Sequence, residues 1–300
     1  MKFEKGLRTS NKQIIAIAYM IMSAFFFSAM QLAVKLTGTG TPFPIMEQVF
    51  FRNIIALLLL LPAALKKGAP YGRKDIQKFL FGRSIAGFLS IITFFYATNH
   101  AKIADANILN KLSPVIVTLL SVLFLQERIS WIQVITLFLS FGGAWVVCSP
   151  EINSAPLAMI AALLSALFSG IAYTFLSALK TKTDPSVVIL HFSTLSVVCA
   201  GVCMLPNFVL PTLEQFGTLL LIGLFGSLGQ VCITFAYKMA PATQISIYNY
   251  TGIIWSGLLG KIFLDETVVI SSIIGGGVIM IASIIDFIFE FNRGKRTKCE

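Results

Sequence analysis

Four side chains able to carry charge, Glu47, Arg52, Lys111 and His191, stand inside long apolar runs of this chain. A charged group near the centre of a bilayer costs on the order of 3 kcal/mol on insertion scales, so each needs a partner or a polar cavity. Arg52 lies about nine residues into its run, roughly 14 Å deep at about 1.5 Å per residue, close to the midplane of a core about 30 Å thick. It either holds carbonyls and Glu47 at a helix contact or faces a solute cavity. Lys111, roughly 12 Å deep by the same rise, would have to stretch its stem to reach the outer surface. Asn110 precedes it and Pro114 follows. Proline removes a helix hydrogen bond, and irregular helix at membrane depth is tolerated where it lines a cavity. Glu47 is a carboxylate inside a run, suited either to carry a coupling proton or to pair with a cation. Five residues from Arg52, it diverges from it by about 140° on an ideal helix, so Lys111 is its easier partner. His191 reads as a satisfied packing residue or a cavity group. Gln230, Thr234 and Tyr237 recur at helical spacing, as do Ser165, Ser169, Tyr173 and Ser177. Such stripes face the bundle, where they bond neighbouring helices or line a pore.

Other chemistries find no support. Of the five cysteines, four lie in apolar runs, and neither they nor His100 and His191 show a metal-ligand spacing. The run Gly275-Gly276-Gly277 lacks the Lys-Ser/Thr ending of a phosphate-binding loop and reads as close helix packing. No intramembrane Asp-Asp or His pair is present to hold polyphosphate or activate water. The chain is therefore not expected to be an enzyme, and no metal or cofactor is expected. With no ATP-binding motif, any pumping must draw on an ion gradient or on the solute's own gradient.

The elements that must position these groups are set by composition. Of 300 residues, 56% are hydrophobic and 12% charged, with mean hydropathy +0.85. A water-soluble domain carries about 25% charged residues, so most of this surface faces something other than water. Apolar runs between charged or Pro/Gly breaks predict ten membrane helices, at 12–36, 43–65, 77–99, 103–125, 131–149, 155–179, 185–206, 214–238, 242–263 and 267–290. The first run is too long for the core of a signal peptide and reads as a retained helix. Short loops at 126–130 and 180–184 make consecutive helices antiparallel. With the N-terminus in the cytoplasm, 17 of the 23 basic residues fall on the cytoplasmic side. Only Lys35, Lys102 and Lys261 fall outside, while Arg52, Arg83 and Lys111 lie within spans. Both termini are thus expected inside, as tails 1–11 and 291–300, with the chain in the plasma (inner) membrane. The net charge of +10 is a topology signal and a contact for lipid headgroups rather than a nucleic-acid footprint.

Sliding the chain by 139 residues brings Gly87 onto Gly226, Ala101 onto Ala240, Asn110 onto Asn249, Lys111 onto Tyr250 and Glu127 onto Glu266. His191 falls on Arg52 at the same offset. Two halves, 12–149 and 155–290, then hold five crossings each, and an odd number makes them inverted copies. Inverted repeats let one site open alternately to either side, a recurrent transporter design.

Several stretches together resemble the drug/metabolite transporter superfamily, in its EamA-like ten-helix branch. They are Phe25 to Lys35, Gln48 to Arg52, Phe95-Tyr96-Ala97, Ile108 to Pro114 and Leu125 to Glu127, then Gly229-Gln230, Ala236-Tyr237, Ala240-Pro241-Ala242, Tyr250 and Gly260 to Glu266. The resemblance runs from about residue 12 to 290. It implies an all-α integral membrane fold with a solute cavity between the halves, lined mainly by the first four helices of each. The fifth helix of each half is implied to lie peripherally, available for homodimer contact. The candidate solute-binding residues are Glu47, Arg52, Asn110, Lys111, His191, Gln230, Asn249 and Tyr250. The expected function is secondary transport of a small organic metabolite, as exporter or exchanger, with a proton or other ion as a candidate coupling partner. A lipid flippase or a non-transporting membrane subunit is the competing reading. With Arg52 and Lys111 set against Glu47 alone, the solute is expected to be anionic or zwitterionic, such as an amino acid, rather than a purely cationic amine.

Overall fold

A computed structural model describes residues 2–38, 43–65, 71–125, 131–148, 156–179, 182–240, 245–266 and 270–296. Every regular element among them is helical. The first half holds α1 (Lys2–Thr37), α2 (Ile45–Leu65), α3 (Gln77–His100), α4 (Ile103–Asn110), α5 (Ser113–Leu125) and α6 (Trp131–Cys148). The second holds α7 (Pro156–Leu179), α8 (Pro185–Met204), α9 (Leu213–Met239), α10 (Thr251–Leu264) and α11 (Ile270–Arg296). Short 3-10 turns precede α3 at Lys74–Ile76, follow α8 at Leu205–Asn207 and precede α10 at Ser246–Tyr250.

Among the described residues, six stretches are long and apolar enough to cross a membrane: Ile14–Thr37, Ile45–Pro62, Lys74–His100, Pro156–Leu179, Pro185–Asn207 and Leu213–Met239. The fourth predicted crossing of each half differs from expectation, because neither is one straight helix. In the first half the chain turns at Lys111–Leu112 and restarts as α5. Pro114 sits in the opening turn of α5, where its missing N–H costs no bond within that helix. In the second half the 3-10 turn Ser246–Tyr250 takes the place of the first helical turns. Elsewhere local chemistry sets the boundaries. Asp184 caps α8 by accepting from the Ser186 N–H at 3.1 Å, with Pro185 in the first helical position. Thr212 and Gln215 form a reciprocal capping box on α9. Asp265 ends α10 in a left-handed conformation, φ 50°.

The helices pack in an exchange-symmetric pattern. α1 lies along α9, and α3 along α7; α2 packs on α9 as α8 packs on α3. α1 meets α10, and α7 meets α4 and α5; α2 pairs with α8, and α6 with α11. Swapping the two halves maps this set of contacts onto itself, as a duplicated repeat requires. The polarity is inside-out relative to a water-soluble protein. Leu58, Phe138, Leu221 and Ile281 are exposed at the periphery, while Glu47, Arg52, Arg83 and Lys111 are buried. Lipid-facing apolar side chains carry no penalty, and charges in such a fold turn toward the bundle interior.

Two apolar layers bracket that interior. One gathers Met20, Leu80, Leu179, Val188 and Ile245 near the end holding Lys74 and Lys182. The other gathers Val34, Phe43, Phe95 and Leu219 near the end holding Lys35 and Lys102.

Candidate functional site

Between the layers lies a cavity of about 70 Å³. On that measure a single water needs about 10–15 Å³, so there is room for a few water-sized groups. Its walls come from both halves, including Gln31 of α1, Arg52 of α2, Arg83 and Ser90 of α3, Asn107 and Asn110 of α4, and Lys111 at the break. Ser169 and Tyr173 of α7, Phe192 of α8, Gln230 of α9 and Asn249 complete it.

Three cations face this space. Arg52 is 4% exposed, Arg83 2% and Lys111 4%. Among the described residues none of them forms an ion pair, and no carboxylate lines the cavity. Arg52 donates one bond to its neighbour Asn53, at 2.9 Å, and its Nε has no partner. Arg83 leaves both Nε and one terminal nitrogen unpartnered. The two guanidiniums share one ring, with carbon centres 5.6 Å and 4.4 Å from the centroid of Phe192 for Arg52 and Arg83 respectively. Cation–π attraction of this kind is worth about 2 kcal/mol when desolvated, which helps hold two like charges near one another. Lys111 Nζ donates to Asn249 Oδ1 at 3.0 Å, a bond from one half to the other.

Glycines make room for all three. A Cβ on Gly87, one turn after Arg83, would lie 2.3 Å from its guanidinium nitrogen. A Cβ on Gly226 would meet the Arg52 Cγ at 2.8 Å, and one on Gly252 the Lys111 Nζ at 3.0 Å. Gly87 and Gly226 are partners under the repeat, so each half offers an arginine a bare stretch of helix.

Polar bonds also tie the walls together. Asn107 Nδ2 and Ser28 Oγ both donate to the Gly252 carbonyl, at 2.9 and 3.1 Å. Ser90 and Ser169 hydroxyls share a bond of 2.6 Å, and Asn110 Nδ2 donates to Ser165 Oγ at 2.7 Å. On the Lys35 side, Glu266 pairs with Lys35 and accepts from the Ile103 N–H at 3.0 Å, while Lys35 also donates to the Ala101 carbonyl at 2.6 Å. These contacts join α1, the α3–α4 elbow and the end of α10. On the other side the rings of Tyr173 and Tyr237 stack with centroids 5.4 Å apart.

The pattern of the EamA-like transporter family matches residues 14–149 and again 156–287. The chain belongs to this family. The EamA-like chain is 32% identical over 270 residues to a pseudopaline exporter of Pseudomonas aeruginosa, covering 88% of this chain and 93% of that one. It is 31% identical over 271 residues to an uncharacterized transporter of Helicobacter pylori, covering 86% of this chain and 89% of that one. A crystal structure 16% identical in sequence superposes with TM-score 0.67 over 91% of this chain and 96% of its own, which shows the shared fold. The protein is a membrane-spanning transporter of a small solute, of the drug/metabolite transporter superfamily.

Of the eight residues singled out in the sequence, the EamA-like fold brings five to one cavity: Arg52, Asn110, Lys111, Gln230 and Asn249. Three lie elsewhere. Glu47 is fully buried, yet it meets neither Arg52 nor Lys111; its Oε1 accepts from the Val209 N–H at 2.8 Å, ahead of α9, and Oε2 has no partner. His191 Nδ1 bonds Ser84 Oγ at 2.8 Å, and its ring meets Phe81 edge-on. Tyr250 packs in an apolar cluster with Leu109, Ala162 and Ile279. Glu127, the repeat partner of Glu266, lies outside the described residues.

Sequence reasoning passed over Arg83. The sequence places it within a predicted span, and it was not among the candidate site residues. Gly87, one turn on, was the available signal, because a small residue there clears a path along the helix into the bundle.

Proposed function

We propose that this chain is a secondary transporter that moves a small anionic or zwitterionic organic metabolite by alternating access, as an exporter or an exchanger. The observation that carries the reading is the cavity with three buried cations and no carboxylate. A carboxylate or phosphate on the solute offsets that charge where an unmet charge is most costly. Ten crossings in two inverted halves, with both termini cytoplasmic, supply the mechanics. The exchange-symmetric packing supports two conformations of similar energy in which the halves trade roles. Contacts at the two ends fit such a cycle, with Lys35–Glu266 on the outer side and the Tyr173–Tyr237 stack on the inner side. The kinship with a pseudopaline exporter favours export over uptake. The contact of Glu47 with the Val209 N–H supports a positioning role for it rather than a coupling one.

Counterflow in proteoliposomes tests the reading. Vesicles preloaded with an unlabelled organic acid should accumulate the labelled acid, and a permanent cation such as tetraethylammonium should not be moved. Selective movement of the cation would overturn the proposal. In intact cells, Lys102→Cys should be labelled by a membrane-impermeant thiol reagent added outside and Lys74→Cys spared; the reverse pattern would overturn the orientation.

A further inference from the structure

We infer that the solute is a polyacid, carrying at least two carboxylate or phosphate groups on one small molecule, and that Arg83 sets this specificity. The inference rests on the anionic reading above and narrows it.

The charges decide the class. A zwitterionic amino acid brings one negative and one positive charge, which leaves all three cations of the cavity uncompensated. A simple monoacid leaves two. A buried lysine can shed its proton, but arginine keeps its charge in proteins. Arg52 and Arg83 alone therefore call for two negative charges. The unsatisfied donors point the same way. Arg52 Nε, Arg83 Nε and an Arg83 terminal nitrogen have no partner among the described residues, although the two residues are only 4% and 2% exposed. Buried donors without acceptors are costly, and a guanidinium fork fits a carboxylate or phosphate in bidentate fashion. Both forks lie against the Phe192 ring, and Lys111 stands on Asn249 of the opposite half. One acid group can meet the Arg52 fork and a second the Arg83 fork, with Lys111 placed to donate to either. Gln230 and Gln31 supply neutral donors and acceptors along the same wall. Gln31 Nε2 also has no protein partner.

Arg83 is the residue that lifts the requirement from one acid to two. Without it, Arg52 is the one cavity cation bound to keep its charge, and a monoacid matches it. Gly87 is the device that admits it, since any larger residue would push the guanidinium out of the cavity.

The test uses the purified full-length protein in detergent and matched probes: succinate, glutarate and tricarballylate, each with its partial and full amides. Calorimetric titration should give affinities falling by about tenfold for each acid converted to amide, the low end of what losing a charge-assisted contact costs. Arg83→Gln should shrink the preference for diacid over monoamide to within roughly twofold, while Arg83→Lys, which keeps the charge and loses the fork, should retain part of it. Thermal midpoints report folding, and if Arg83→Gln does not fold, the Arg83→Lys comparison decides. Equal binding of diacid and monoamide, both above the diamide, overturns the polyacid inference and leaves the anionic reading standing. Amides or amines binding best, or no probe binding above its full amide, overturns both. Sulfate displacing each probe as well as succinate does would show a site for an inorganic counter-anion only, and also overturns the inference.

Discussion

In the first half of the molecule the chain turns at Lys111–Leu112 between α4 and α5; in the second, 139 residues on, it passes from the 3-10 turn Ser246–Tyr250 into α10. The two breaks share a position but have different causes. At the first, Pro114 has no N–H to give the Asn110 carbonyl, where α4 ends. The second has Ile253 at that offset, and its geometry is held by tertiary bonds instead. Asn107 and Ser28 grip the Gly252 carbonyl, and Thr251 Oγ1 donates to the Tyr248 carbonyl at 2.7 Å. The chemistry differs as well. The first break carries an ammonium group into the cavity. The second carries Asn249, which accepts from that ammonium, and Tyr250, which packs in apolar surroundings. Duplication has kept the interruption, and divergence has made one copy the charge and the other its seat.

The largest effect expected from breaking this asymmetry comes from Lys111→Met. A lost hydrogen bond to a charged group costs about 1.5–3 kcal/mol, so transport of an acid should fall by about 10- to 150-fold with little change for a neutral amide analogue. Adding Tyr250→Lys should not rescue the loss, because Tyr250 does not line the cavity. Rescue in a vesicle uptake assay would show that the two breaks are functionally equivalent and would undo the comparison.

A second pair of repeat partners should separate binding from stability. In Gly87→Ala the new methyl meets the flexible end of Arg83 at 2.3 Å and the Phe192 ring at 2.9 Å. The guanidinium can move away while the Phe192 ring gives by a few tenths of an ångström, so acid affinity should fall by about tenfold, the size of one lost charged contact, with a smaller loss of thermal stability than in the next variant. In Gly226→Ala the methyl meets the stem of Arg52 at 2.8 Å and the Met30 sulfur at 3.0 Å. The stem is anchored at both ends, so the cost should be mainly one of stability, about 1–3 kcal/mol as in other overpacked cores. Equal affinity losses at equal thermal midpoints would mean that the two glycines do the same job.

Features determined by local pattern were legible in the sequence. The apolar run predicted at 77–99 is α3, Gln77–His100, and the run predicted at 185–206 contains α8, Pro185–Met204. Pro114 beside Lys111 marked the loosened backbone, and the 139-residue offset aligned the residues of both breaks. Features that depend on contacts far apart in the chain were not legible. Nothing near Glu47 indicates that its partner is the Val209 N–H, in the segment leading to α9. The ion pair of Lys35 with Glu266 joins two residues that each read as a helix end. Arg83 was visible as an arginine within a span, but depth counting from one end allows a long side chain to point either way. The direction is decided by Gly87 and Phe192, one on its own helix and one on α8.

The smallest effect is expected at Asn110, and it should be compared with that of its repeat partner. Asn110→Ala removes a neutral bond to Ser165 Oγ, whose own donation to the Ala162 carbonyl at 2.8 Å remains. A neutral bond of this kind is worth about 0.5–1.5 kcal/mol, and the loss should be seen in thermal stability, with acid transport within about threefold of normal. Asn249→Ala instead takes the acceptor from a buried ammonium, and an unsatisfied charged donor is the more expensive outcome. Lys111 would then have to turn toward the solute alone, with its position no longer fixed from the opposite half. Acid transport should fall further than for Asn110→Ala, yet less than for Lys111→Met, because the charge itself remains. Initial rates of acid uptake into vesicles for the three variants rank these effects. If Asn110→Ala proves the more damaging of the two asparagine changes, the polar seat of the site lies in the first half and not across the interface between the halves.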